Sequence, residues 1–187
     1  YRSAPLEFCE VASMSMELLT HGFLDEFYSE EDTQRAIRTH LEGIVSILPW
    51  IATIDAFQHW VYTNPEHSRD ERHSKWLELG ERFGSILDWS GFEDWRKVGW
   101  QKQLHLFSYP FYYIEYGIAQ LGALQMWLQY RKNPEMALAN YATAMRLGGS
   151  RPLPNLFEAG GMSFDLGRST VQGLIDAVRD ELSTLPA

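Results

Sequence analysis

The sequence predicts an all-α fold made of many helices, and two observations support this class. Segments rich in Leu, Met, Ala and Glu, which favour helices, recur along the 187 residues, and Ser, Asn, Gly or Pro stands at their ends. No run of alternating β-branched residues is long enough to predict a strand. At about 150 residues per domain the length favours one domain, and 45% hydrophobic residues supply enough apolar material for a packed core.

The predicted helical segments follow one another with short connections. In chain order they are 5–20, 30–62, 69–83, 89–99, 110–131, 134–147, 156–161 and a last one that opens at Ser169 or Thr170 and ends near Leu182. The residues predicted to cap or start them are Ser3, Ser29, Ser68, Tyr109-Pro110 and Asn133-Pro134, and those predicted to end them are Gly22, Asn64-Pro65, Gly84 and Gly148-Gly149. Pro49 lies inside the second segment, and we expect it to kink or break that helix because proline lacks a backbone N–H.

The composition excludes several classes of function. The chain has 16 Lys and Arg against 25 Asp and Glu, and this formal charge of −9 argues against a general nucleic-acid binder or a protein of anionic membrane surfaces. Between Lys102 and Arg131 only Glu115 is formally charged, but Gln, His and Tyr make this stretch too polar for a lipid-facing helix. Cys9 is the only cysteine, which excludes an internal disulfide and fits a cytoplasmic location.

Two carboxylates share one face of the first predicted helix. Glu10, Ser13, Met14 and Glu17 recur at i, i+3, i+4 and i+7. Carboxylates within an otherwise apolar helix can ligate a metal ion or act as acid and base. The alternative, which is the commoner case, is a half-buried glutamate paired with an arginine.

A second candidate is the aromatic stretch between residues 105 and 116. The predicted helix places Tyr109, Tyr112 or Tyr113, and Tyr116 on one face, with His105 in the turn before it. Several phenols and an imidazole aimed at one point can donate hydrogen bonds to a developing oxyanion. The alternative, again the commoner case, is an aromatic packing stripe whose hydroxyl groups bond to the backbone.

Together these stretches resemble the zinc metallopeptidases of the oligoendopeptidase F and thimet oligopeptidase type. The segment 8–13, followed by Glu17, resembles the helix that comes after the H-E-x-x-H motif in that family. The segment 105–121 resembles the family's C-terminal active-site stretch, and 148–161 resembles its late glycine-rich segment. The three segments occur in the same order as in the family and span essentially the whole chain. No single segment is specific for the family, but the three together are.

The resemblance implies a role for each candidate residue. Glu10 matches the third zinc ligand, beside the two histidines of H-E-x-x-H, and Glu17 matches a carboxylate that orients a zinc-bound histidine. The residues matching the region that contacts substrate and stabilises the tetrahedral oxyanion are His105, Tyr109, Tyr112, Tyr113 and Tyr116, with either Tyr112 or Tyr113 facing the metal. The implied cofactor is Zn²⁺, which lowers the pKa of a bound water and polarises the scissile carbonyl.

One departure from the family pattern is large, because the sequence contains no H-E-x-x-H. The family places that motif a short way upstream, and the chain opens at Tyr1 without Met, so we expect residues 1–187 to be a C-terminal fragment of the peptidase catalytic domain. We expect this fragment alone to lack zinc and activity. Its expected partners are short peptides and the missing N-terminal part of the enzyme, without nucleic acid or membrane, and its cut face invites self-association.

Two other hypotheses stay open. The chain could be a non-catalytic all-α interaction domain that keeps the peptidase scaffold without the metal, and an H-E-x-x-H just before Tyr1 would decide for the enzyme. A helical binding module unrelated to peptidases would require the joint pattern to be accidental, as helical cores do produce such stripes.

Overall fold

The computed structural model describes residues 3–84 and 87–186, and over these residues it is all-α, as predicted, with no strand. The α-helices are α1 (Leu6–Leu19), α2 (Glu30–Thr63), α3 (Arg69–Phe83), α4 (Glu93–Lys97), α5 (His105–Ser108), α6 (Ile114–Lys132), α7 (Pro134–Leu147), α8 (Leu153–Ala159) and α9 (Arg168–Leu182). Two 3-10 helices, Thr20–Glu26 and Gly99–Lys102, complete the description.

The chain forms two compact units. The first contains the residues up to Val45 and those from Glu115 onward, and the second contains residues 46–114. One boundary lies inside helix α2 and the other lies at the start of α6, so no change of composition or flexible linker marks either of them.

The core of the first unit joins helices α1, α6, α7 and α8. Its buried residues include Phe8, Val11, Ala119, Met126, Ala137, Ala144, Leu156 and Phe157. Gly122 allows the close approach at its centre, because a Cβ there would lie 3.0 Å from both the Val11 and Phe157 side chains. This contact fixes how α1 packs against the core of the first unit. It therefore also determines which face of α1 points away from that core and can carry polar groups.

The core of the second unit is aromatic. Phe57 from α2 packs edge-on against Trp76 from α3, with ring centroids 5.2 Å apart, and also contacts Trp100. Ile54 and Leu79 fill the remaining space. The Trp76 Nε1–H donates to the Arg96 carbonyl at 3.0 Å, so this buried indole is satisfied.

Most predicted helix boundaries are confirmed by cap geometry. The hydroxyl oxygens of Ser29 and Ser68 accept hydrogen bonds from backbone N–H groups of the first turns of α2 and α3, and Ser68 forms a full capping box with Glu71. Asn133 caps α7, which ends at Gly148 with a φ of 52°. The prediction of Ser3 as a cap is wrong, since α1 starts at Leu6 with Pro5 at its N-cap and no side-chain cap.

Other predicted boundaries also differ from the structure, since Gly22 lies within the 3-10 helix that follows α1 and α8 begins at Leu153 rather than at residue 156. Of the kink or break expected at Pro49, the break does not occur: helix α2 continues through the proline, and buried residues such as Ile44, Ile51 and Ile54 on either side of it stabilise the helix. Helix α9 is preceded by Gly167 as its N-cap and so begins one or two residues earlier than predicted.

Helix α2 also has the length and composition that could cross a membrane. It contains 34 residues and an 18-residue window with a mean hydropathy of 1.2, of which 33% is buried. Core helices of water-soluble proteins pass the same test, so this property does not distinguish the two cases.

Candidate functional site

Helix α1 carries the first group of candidate residues on a regular helical face. Its buried side includes Phe8, Val11 and Leu18, which leaves Glu10 half-buried and Glu17 exposed. The Ser13 hydroxyl donates to the Glu10 carbonyl at 3.1 Å and lies 3.4 Å from the carboxylate oxygen Oε2 of the same residue. The shared face that the spacing predicted is therefore formed.

The Glu17 carboxylate contacts one histidine, His40 of helix α2. His40 Nε2 lies 3.5 Å from a Glu17 carboxylate oxygen, and His40 Nδ1 forms a hydrogen bond of 2.7 Å with His21 Nε2. Burial, followed by the nearby His40, lowers the pKa of His21 to about 4. Burial also lowers the pKa of His40, against the opposite effect of Glu17. Both imidazoles are therefore held neutral near pH 7, with Glu17 beside His40.

Glu115 is an acidic residue with a strongly altered ionisation. Burial raises its pKa to about 7, and the negative charges of Glu7 and Glu10 on helix α1 add to this effect. Its oxygen Oε2 is buried without a hydrogen-bond partner. A carboxyl group in this state can hold or release a proton near neutral pH.

His105 stands at the centre of the second group of candidate residues. Its ring stacks on Tyr112, with ring centroids 5.9 Å apart and an angle of 9° between the planes. It contacts Tyr113 edge-on with centroids 4.9 Å apart, and Tyr109 in a tilted arrangement with centroids 6.3 Å apart. The Gln103 amide nitrogen donates to His105 Nδ1 at 2.8 Å, so the proton of the neutral imidazole resides on Nε2. The His105 ring therefore contacts the rings of Tyr109, Tyr112 and Tyr113.

The prediction of a single helical face for these residues is wrong. Helix α6 begins at Ile114, so Pro110 is not its first residue, and among the tyrosines of this stretch only Tyr116 belongs to it. The chain turns before α6 because Phe111 has a φ of 61°, and its N–H donates to the buried Gln58 Oε1 at 2.9 Å. This tertiary hydrogen bond outweighs the local preference for a helix that starts at Pro110.

The candidate residues are divided between the two compact units. Glu10, Glu17 and Tyr116 belong to the first, and His105, Tyr109, Tyr112 and Tyr113 belong to the second. Within each unit the expected neighbours meet: Ser13 with Glu10 in one, and the imidazole with the three phenols in the other.

The described residues do not form a complete metal site by themselves. Over residues 3–84 and 87–186, no group of three or more His, Cys, Asp or Glu side chains is arranged to hold a metal ion. Structural and catalytic zinc sites use three or four protein ligands. Glu10 can therefore contribute a ligand only if others come from outside this set.

Sequence reasoning missed three residues that shape these groups. Gln58 fixes the turn at Phe111, Gln103 fixes the tautomer of His105, and Glu115 lies close enough to Glu7 and Glu10 for their charges to raise its pKa. Only Glu115 left a signal in the sequence, as the one formally charged residue between Lys102 and Arg131.

The family model and the solved structures that match this chain are all those of peptidases. The sequence model of peptidase family M3 matches residues 1–170. The structure is similar to that of PZ peptidase A solved with an inhibitor, with 33% identity, a TM-score of 0.89, and coverage of 98% of this chain and 33% of the other. No curated protein sequence gives a significant match.

Two further solved structures are similar to this chain. A putative oligoendopeptidase F has 31% identity and a TM-score of 0.86, over 99% of this chain and 33% of that one. Another, from Bacillus anthracis, has 30% identity and a TM-score of 0.78, over 98% of this chain and 29% of that one. The chain thus spans about a third of the length of the solved structures it matches.

Proposed function

This chain belongs to peptidase family M3, and we propose that it forms part of a zinc-dependent oligopeptidase that hydrolyses peptide bonds in short peptides. The observation that carries the proposal is the match of the family model to 170 of the 187 residues, together with a likeness of fold at 33% identity to a peptidase solved with an inhibitor.

In this proposal helix α1 serves the metal. Glu10 supplies one carboxylate ligand, and Glu17 orients a histidine of the metal site. The half-buried position of Glu10 and its contact with the Ser13 hydroxyl support a fixed carboxylate. The two histidine ligands and the general-base glutamate of H-E-x-x-H are absent from this sequence and have to come from another part of the protein.

The aromatic group serves the substrate carbonyl. His105 donates from Nε2, and Tyr112 or Tyr113 donates from its phenol, to the oxyanion that forms when the peptide bond is attacked. Tyr109 and Tyr116 complete the donor set and contact the peptide. The hydrogen bond from Gln103 supports this role, because it keeps the imidazole proton on the nitrogen that would face the substrate.

A second candidate function is a non-catalytic interaction domain with the same scaffold. Such a domain needs no metal ligands, and over residues 3–84 and 87–186 no cluster of side chains is arranged to hold a metal ion. An H-E-x-x-H encoded upstream of this chain decides for the enzyme, and its absence from the complete gene decides for the scaffold.

Zinc titration of the 187-residue chain tests whether this chain supplies only one of the zinc ligands. We expect isothermal titration calorimetry to show weak binding or none, because Glu10 is one ligand where three are needed, and we expect no cleavage of short peptides. Tight, stoichiometric binding that Glu10→Gln abolishes and Glu26→Gln leaves unchanged would contradict this expectation, since it would require a second ligand set within the chain.

A further inference from the structure

A pocket in the second unit is lined by four tryptophans. Its volume is about 440 Å³, which falls in the range of roughly 300–1,000 Å³ of small-molecule sites. The four are Trp50, Trp76, Trp89 and Trp95. Trp95 is 74% exposed and Trp76 is 6% exposed, so the pocket extends from the solvent to the core of the unit.

A glycine inside helix α3 helps to keep this pocket open. Gly80 lines it, and a Cβ at this position would meet no atom closer than Arg96 Nη2 at 3.9 Å. Glycine in a helix interior costs about 0.5–1 kcal/mol relative to alanine. Since neighbouring atoms do not require glycine here, what the residue contributes is the empty volume beside it.

The charge on the pocket wall opposes the charge of the chain. Although the chain carries −9, the described lining residues include Arg96 and Lys102 and no carboxylate. Arg96 is 3.8 Å from Glu81, which partly neutralises it. Lys102 Nζ lies 5.5 Å from the centre of the Trp50 ring and has no described carboxylate within 4.0 Å.

We propose that this pocket binds an apolar carboxylic acid. The bulky apolar group lies among the indole rings beside Gly80, and the carboxylate pairs with the Lys102 ammonium at the mouth. Such a ligand is either a free aryl-alkyl acid or the C-terminal residue of a peptide, which present the same chemistry. The assignment stands on the pocket in the second unit and does not depend on the metal-bound reaction proposed above.

Calorimetric titration of the chain with 3-phenylpropionate and with 3-phenylpropionamide tests both parts of the pocket. We expect the acid to bind at least about tenfold more tightly than the neutral amide, because only the acid pairs with Lys102. Lys102→Gln should bring the two affinities to within about twofold. Lys132→Gln, an exposed lysine in the first unit, is the matched charge control and should keep the difference.

Filling the pocket from Gly80 tests the apolar part. Gly80→Leu should weaken binding of both probes at least about tenfold, while Gly173→Leu, at an open position in α9, should leave binding unchanged. Circular dichroism melts confirm that each variant is folded, and Gly80→Ala provides a milder variant. Failure of the wild-type chain to bind the acid at millimolar concentration, equal binding of acid and amide, or unchanged binding by Gly80→Leu overturns the proposal.

A third probe separates the two sources of the ligand. N-acetyl-glycyl-phenylalanine carries the same ring and carboxylate at the end of a peptide, and its amide again serves as the control. Tighter binding of this peptide than of 3-phenylpropionate assigns the pocket to peptide C-termini, and weaker binding assigns it to free acids. Either result supports the pocket chemistry, provided that the Lys102→Gln effect is present.

Discussion

Helix α1 and the segment from Gln103 to Tyr113 carry the two groups of candidate residues by different means. On α1 the regular helix alone sets the spacing of Glu10 and Glu17, and buried residues on the opposite side fix which face they share. In the aromatic segment the chain is irregular, and two hydrogen bonds set the geometry: one from Gln103 to His105 within the segment, and one from the Phe111 N–H to the distant Gln58. We therefore expect the geometry of the first group to tolerate substitutions elsewhere in the chain. The geometry of the second group should depend on a few specific hydrogen-bond partners.

The largest expected effect concerns the phenols of the second group in a protein that also carries H-E-x-x-H. There, Tyr112→Phe or Tyr116→Phe should lower kcat by about 10²–10³-fold, because one donor to the oxyanion is lost. KM should change little, since the bond forms only in the transition state. Steady-state kinetics with a short fluorogenic peptide measures both, and metal content should stay unchanged.

Tyr130→Phe, farther along α6, is the matched control and should retain wild-type kinetics. If Tyr112→Phe, Tyr116→Phe and His105→Ala all keep near wild-type kcat/KM, the aromatic group serves packing and the assigned roles are wrong. A loss in one tyrosine variant only would identify which phenol faces the reacting carbonyl.

A smaller effect is expected where the aromatic segment depends on Gln58. This residue is 3% exposed, and Gln58→Leu leaves the Phe111 N–H without its acceptor, which should cost about 1–3 kcal/mol of unfolding free energy. Gln101→Leu, at an exposed position in the same unit, should cost much less. Urea denaturation followed by tryptophan fluorescence compares the two, and equal stabilities would show that this hydrogen bond does not fix the segment.

The last expected effect is the pH dependence introduced by Glu115 beside helix α1. Its pKa is about 7 in the folded chain against 4.5 ordinarily, so folding favours the protonated form. The unfolded chain releases this proton first, and the free energy of unfolding should therefore fall as pH rises from about 4.5 to 7. Glu115→Gln should flatten this part of the curve, whereas Glu135→Gln should not. Parallel curves for wild type and Glu115→Gln would contradict the shift.

The difference between the two regions also explains what could be predicted from the sequence. The helix of Glu10 and Glu17, and caps such as Ser68 and Asn133, follow from local spacing and are confirmed. Local rules also predicted a helix starting at Pro110, and this is wrong because the acceptor that holds Phe111 is 53 residues away.

The candidate site shows the same limit. The sequence predicted a helical face with Tyr109, Tyr112 or Tyr113, and Tyr116 beside His105, whereas in the structure the His105 ring contacts Tyr109, Tyr112 and Tyr113, which lie before the start of α6. The contact of Glu17 with His40, and of His40 with His21, joins residues 19 to 23 positions apart and left no pattern in the sequence. The division into two units was equally invisible, since its boundaries lie within or beside helices.

The central claim, that Glu10 is a zinc ligand, is tested most directly by metal content. The measurement is zinc per polypeptide, by mass spectrometry after dialysis, in a protein that contains both H-E-x-x-H and this chain, with Glu10→Gln compared with Glu7→Gln on the same helix. We predict about one zinc for the wild type and for Glu7→Gln, and a marked loss for Glu10→Gln, because the site falls from three protein ligands to two. Full zinc occupancy with normal activity in Glu10→Gln would contradict the claim.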